Sequence, residues 1–109
     1  MIIESSGVKA NPYQLVRQAI ADRVSLIGLY DRYVRFFSPR VLGTDLAGKP
    51  VVIAYQYGGG RRGGLPPRGD WVCFDVGVFD SLNRNGDTWI AKPLPAKPVC
   101  PLKKVDIAA

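Results

Sequence analysis

A chain of 109 residues, 47% of them hydrophobic, makes one domain around one core. Its 15 Lys and Arg against 9 Asp and Glu give a net charge of +6, which favours an anionic partner and equally serves solubility. Histidine is absent, which removes the usual general base near neutral pH and the commonest metal ligand, and argues against an enzyme or a zinc protein.

Residues 1–10 read as a short lead with a strand at Met1–Ile3. The lead lacks a basic region and an apolar run of signal-peptide length, so a cytoplasmic, reduced protein is expected. Asn11-Pro12 starts a helix: Asn caps, and Pro is tolerated in the first turn. Tyr13, Val16, Ala19 and Ile20 then recur at helical spacing with Leu15 beside them. Gln14, Arg17, Gln18 and Asp22 take the opposite side.

Val24–Tyr30 is apolar on both faces apart from Ser25, the pattern of a central strand covered on both sides. Gly28 within it marks a bend or a close approach. Asp31-Arg32 turns the chain into an alternating strand at Arg32–Phe37, which Pro39 ends or places at an edge. Gly43–Pro50 is a polar turn. Val51–Tyr57 is the clearest strand, β-branched and aromatic. The run Gly58–Gly69 follows, rich in glycine and carrying Arg61, Arg62 and Arg68.

Trp71–Val78 resumes a strand with Val72, Phe74, Val76 and Val78 on one face. Asn85-Gly86 signals a hairpin, and Thr88–Ile90 begins a last strand. From Lys92 onward Pro93, Pro95, Pro98 and Pro101 mix with lysines, the composition of an extended tail outside the core. Cys73, in an apolar strand, reads as a buried thiol. Cys100 sits among prolines; a disulfide between them stays open, and their separation is not a metal spacing.

The division is therefore residues 1–91, a helix and small barrel, and residues 92–109, a Pro/Lys-rich tail. The fold class is α+β, mainly β: an N-terminal helix followed by about five short strands.

The positions Leu15, Ala19, Ile20, Arg23, Tyr30, Pro39, Leu42 and Val51–Tyr55, with Phe74 to Leu82 as a closing strand, resemble the WYL domain across residues 13–90. That resemblance implies a five-stranded Sm-like barrel acting as a ligand-sensing or nucleic-acid-binding module, as in bacterial regulators and phage-defence systems. Val51-Val-Ile53 stands where the family has Trp-Tyr-Leu. Asp75 and Val78 stand where it has paired arginines. No helix-turn-helix region precedes the barrel here, so a whole regulator of the usual kind is not expected.

The Gly58–Gly69 loop is the leading site. Glycines let the backbone approach a ligand, and arginine grips phosphates bidentately. The loop lacks the Lys-Ser/Thr ending of a phosphate loop. Its bland reading is a flexible hairpin loop with solubilising cations. A basic-aromatic face is second: Tyr33, Arg35 and Phe37 alternate in one strand, Tyr55 and Tyr57 in another, and such rings and guanidinium groups stack on bases. Core packing is the competing fate of those rings.

Asp75 and Asp80 form a candidate carboxylate pair without a third group, and no histidine activates any serine. The expectation is a non-enzymatic module, without cofactor or metal, that binds nucleic acid or a nucleotide-like anion through Arg35, Arg40, Tyr55, Tyr57, Arg61, Arg62 and Arg68. The competing class is a protein-interaction or oligomerisation module that docks by an open edge and the tail. No segment reaches membrane-span length, so no membrane is expected as a partner.

Overall fold

The computed structural model describes residues 11–109. The strand expected at Met1–Ile3 lies outside them. Helix α1 spans Pro12–Asp22, with Asn11 as cap: its side chain accepts from the Tyr13 N–H at 2.9 Å. Arg23 ends the helix in the left-handed conformation, its N–H returning to Ala19 and Ile20. Val16, Ala19 and Ile20 are fully buried, as the spacing predicts.

Six antiparallel strands follow: β1 (Leu26–Tyr30), β2 (Tyr33–Asp45), β3 (Pro50–Gly59), β4 (Asp70–Asp75), β5 (Ser81–Arg84) and β6 (Leu102–Ala108). The path of the sheet is β4-β3-β2-β1-β5, with β6 paired to β2. Asp31 and Arg32 make the β1–β2 turn, both with positive φ. Gly28 is a close approach, since a Cβ there would sit 2.9 Å from the Phe79 ring.

The core lies between α1 and one face of the sheet, where Leu26, Phe37, Leu42, Val52, Phe74 and Phe79 meet Val16 and Ile20. Tyr30, Phe37, Phe74 and Phe79 form an aromatic cluster with centroids 4.8 to 5.6 Å apart.

Several expectations need correction. The sheet is open rather than a closed five-stranded barrel, because β4 and β5 at the ends of the path do not pair. Where a β4 partner would sit, the Asp75 N–H donates to the Tyr30 hydroxyl at 3.0 Å. The strand expected at Trp71–Val78 stops at Asp75, whose carboxylate accepts from the Gly77 N–H and starts a 3-10 turn at Val76–Val78.

Pro39 does not end pairing. β2 runs through it to Asp45, with register shifts after Phe36 and after Pro39, so the polar turn shrinks to 46–49. Asp45 closes that turn by accepting from the Ala47 and Lys49 N–H groups. Asn85-Gly86 leads into no strand. Thr88–Ile90 is irregular.

The largest correction concerns the tail. Residues 102–108 form β6, which pairs with the second half of β2 while β1 pairs with the first half. Both lie on the same edge of β2, and Ser38–Arg40 face the gap between them. Segment 88–92 fills it. Ser38 Oγ accepts from the Ile90 N–H at 3.0 Å, the Pro39 carbonyl accepts from Trp89 Nε1 at 3.0 Å, and buried Ser25 bonds Ser38 at 2.9 Å. At the β6 end of the gap, Ala109 N–H donates to Arg40 O at 2.9 Å.

Cys73 is no free thiol; it is bonded to Cys100. No described helix is long and apolar enough to cross a membrane.

Candidate anion-binding site

The β1–β2 turn and the loop 60–69 between β3 and β4 share one end of the sheet. Gly60 N–H donates to Val34 O at 3.0 Å, and the Arg62 guanidinium lies 3.6 Å from the Asp31 carboxylate. Arg61 meets Asp70 at 3.0 Å and donates through Nε to Gly64 O. The loop carries its own turns: Gly64 N–H donates to Arg61 O, and Gly69 N–H to Pro66 O.

Glycine is required at the base of this loop. Gly59 has φ +82°, and a Cβ there would overlap the Val34 carbonyl. Gly69 has φ +84°, and a Cβ there would overlap the Gln56 carbonyl.

Beneath the loop lies a buried polar pair. Arg35 is 5% exposed, donating to Tyr30 O at 3.2 Å and to Gln56 Oε1 at 3.3 Å. Gln56, wholly buried, passes its own Nε2 protons to Gly58 O and Gly60 O, each at 3.0 Å. The Arg35 guanidinium also lies over the rings of Tyr30, Tyr33 and Phe74 at 5.2 to 5.6 Å. Burial lowers its pKa, and the nearby Asp31 carboxylate opposes that shift. Arg35 therefore shapes the loop rather than facing solvent.

The predicted residues separate into two groups. Arg61, Arg62 and Arg68 come together in the loop, with Arg35 below. Arg40, Tyr55 and Tyr57 lie apart from it: Arg40 holds the C-terminal segment, Tyr55 braces the far end of the loop at Arg68, and Tyr57 meets Asn85 and Asp87. Arg40 donates to Ala109 O at 3.0 Å and to Lys92 O, with its guanidinium 5.6 Å from the Trp71 ring and 5.1 Å from the Trp89 ring. Desolvation lowers its pKa, and Arg23, over the Trp89 ring at 5.8 Å, adds repulsion.

Tyr55 is buried, its ring edge-on to Trp71 and beneath Lys92, and its hydroxyl donates to Arg68 O. Tyr57 donates to Asp87 at 2.7 Å; burial, then that bond, raises its pKa.

Arg32 was not among the predicted residues. It is exposed at the tip of the β1–β2 turn, and among the described residues neither it nor Arg68 forms an ion pair. Its sequence signal was its place beside Asp31 in the turn. Four arginines thus share this end of the sheet with two aspartates. Asp75, by contrast, caps the 3-10 turn and lies 3.9 Å from Lys49. Among the described residues, no group of three or more His, Cys, Asp or Glu side chains is placed to hold a metal.

Comparison with family models, with curated proteins and with solved structures finds no match to this chain.

Proposed function

We propose that the chain is a non-enzymatic binding module for nucleic acid or a nucleotide-like anion, of WYL type and with an opened Sm-like sheet. Its binding end is the β1–β2 turn together with loop 60–69. One observation carries the reading: the Arg62–Asp31 contact joins loop to turn, gathering Arg32, Arg61, Arg62 and Arg68 at one end. Two of these are partly neutralised by aspartates, while Arg32 and Arg68 have no ionic partner among the described residues.

The buried Arg35–Gln56 pair supports the reading by fixing the loop base, which lowers the ordering cost of binding. The order of elements supports the family relation: a helix, a four-strand meander, then a fifth strand returning beside the first.

Fluorescence polarisation with short single- and double-stranded DNA and RNA, titrated across salt, tests this. Binding at low salt that weakens steeply as salt rises is expected. Absence of binding at low salt overturns it.

The second reading, a protein-interaction or oligomerisation module, is favoured by β6. That strand pairs β2 along one edge and carries Val105, 55% exposed. A stable oligomer in size-exclusion mass measurement, without oligonucleotide binding, selects it.

A further inference from the structure

The nine residues 93–101 cross the outer face of β3 and β4 in an unusual state of attachment. On one side of them, segment 88–92 is fixed by Ser38, Pro39 and Arg40. On the other, β6 is fixed by its ladder to β2 and by the Tyr13–Asp106 bond at 2.6 Å. Between these anchors the segment makes no hydrogen bond with the described residues, and four of its nine residues are prolines without an N–H. It borders a shallow, mostly apolar cavity lined by Ile53, Leu94, Pro95, Lys97, Pro98 and Val99, and one covalent bond, Cys73–Cys100, ties it to the sheet.

Cys73 lies opposite Ile53 in the β3–β4 ladder, so the bond sits beside the patch it covers. Both cysteines are half-buried rather than enclosed, and their Cα atoms are 6.2 Å apart, within ordinary disulfide reach.

We propose that this bond is a thiol-responsive latch: oxidised, it clamps residues 93–101 over the outer face of β3 and β4; reduced, it frees them while both anchors hold. The reductant is a dithiol. Its thiolate attacks one sulfur, the S–S electron pair leaves on the other cysteine sulfur, which takes a proton, and the second thiol then closes the reductant's own disulfide. Two electrons and two protons pass to the protein, leaving Cys73 and Cys100 as thiols. Opening uncovers Ile53 beside Tyr55 and Trp71. The latch is closed in an oxidising compartment and open in a reducing one.

Non-reducing peptide mapping of the full chain, followed by limited elastase digestion with and without dithiothreitol, tests the latch. Linked Cys73 and Cys100 peptides are expected in the oxidised chain. Reduction should raise cleavage after Ala96 and Val99 at least about tenfold, as expected for a local opening. Amide exchange in β6 should be unchanged. Cys73→Ser and Cys100→Ser should each reproduce the reduced pattern.

The proposal is overturned by thiols that stay free in oxidised glutathione, by cleavage indifferent to reduction, or by loss of the whole fold on reduction or in both variants.

Discussion

The Arg35 guanidinium donates to the side-chain carbonyl of Gln56 at 3.3 Å, and both residues are buried beneath the loop they shape. Replacing Gln56 by Leu removes that acceptor and leaves a desolvated cation and the carbonyls of Gly58 and Gly60 without the Gln56 donor. A loss of about 1–3 kcal/mol is expected in urea unfolding. Adding Arg35→Met should recover part of it, because the uncompensated charge goes too. Additive losses would show that the two side chains act independently.

The Tyr13–Asp106 bond makes the docking of β6 on α1 dependent on pH. The Tyr13 hydroxyl holds the Asp106 carboxylate below the usual carboxylate range, and the same bond raises the Tyr13 phenol. A lowered acid stabilises the fold fully above its unfolded pKa, about 4, and the contribution is lost as pH falls through the folded value. The raised phenol acts at the other end: its contribution is intact below about pH 10 and lost above it. The melting-temperature difference between the parent chain and Tyr13→Phe should therefore be largest near neutrality and vanish in acid. A pH-independent difference would remove the bond from the account.

At Gly59, Ala should be worse than at Gly28. The first position combines positive φ with overlap on a backbone carbonyl, whereas the second presses a Cβ on the Phe79 ring at 2.9 Å and Leu82 at 3.0 Å. Overpacking of the Gly28 kind costs about 1–3 kcal/mol. Denaturant midpoints of the two variants give the order.

If loop 60–69 binds oligonucleotides, removing one phosphate contact shallows the log affinity against log salt slope by about 0.7 for single strands and about 0.9 for duplexes. Arg62→Ala and Arg68→Ala should each do this while leaving the melting temperature close to that of the parent, since both side chains are exposed. Slopes unchanged in both variants would move the site elsewhere.

Local chemistry made the first half of the chain legible. Asn11-Pro12 set the helix start, the Asp31-Arg32 turn and Gly28 carried recognisable constraints, and the β-branched and aromatic run Val51–Tyr57 marked a strand that lies within β3. The C-terminal third was not legible, because its order comes from distant partners. Thr88–Ile90 is set by Ser25, Ser38 and Pro39, and β6 by an edge of β2 some 60 residues earlier. Prolines that suggest an extended tail are equally suited to a strap that needs few hydrogen bonds.

The same remoteness explains the site. Arg35 stands between Val34 and Phe36 and Arg61 between Gly60 and Arg62, and neither setting tells what the side chain meets. Cross-strand neighbours place one under three rings and the other beside Asp70.

Because β2 is shared by β1 at its beginning and by β6 at its end, the order of synthesis constrains how the molecule is made. The hairpin of β1 and β2 consists of near neighbours and forms early, whereas the partner of Val41–Asp45 emerges only after β3, β4 and β5. During that interval half of a long apolar strand has one unprotected side, so a nascent chain halted before residue 102 is the species most prone to pair with another copy.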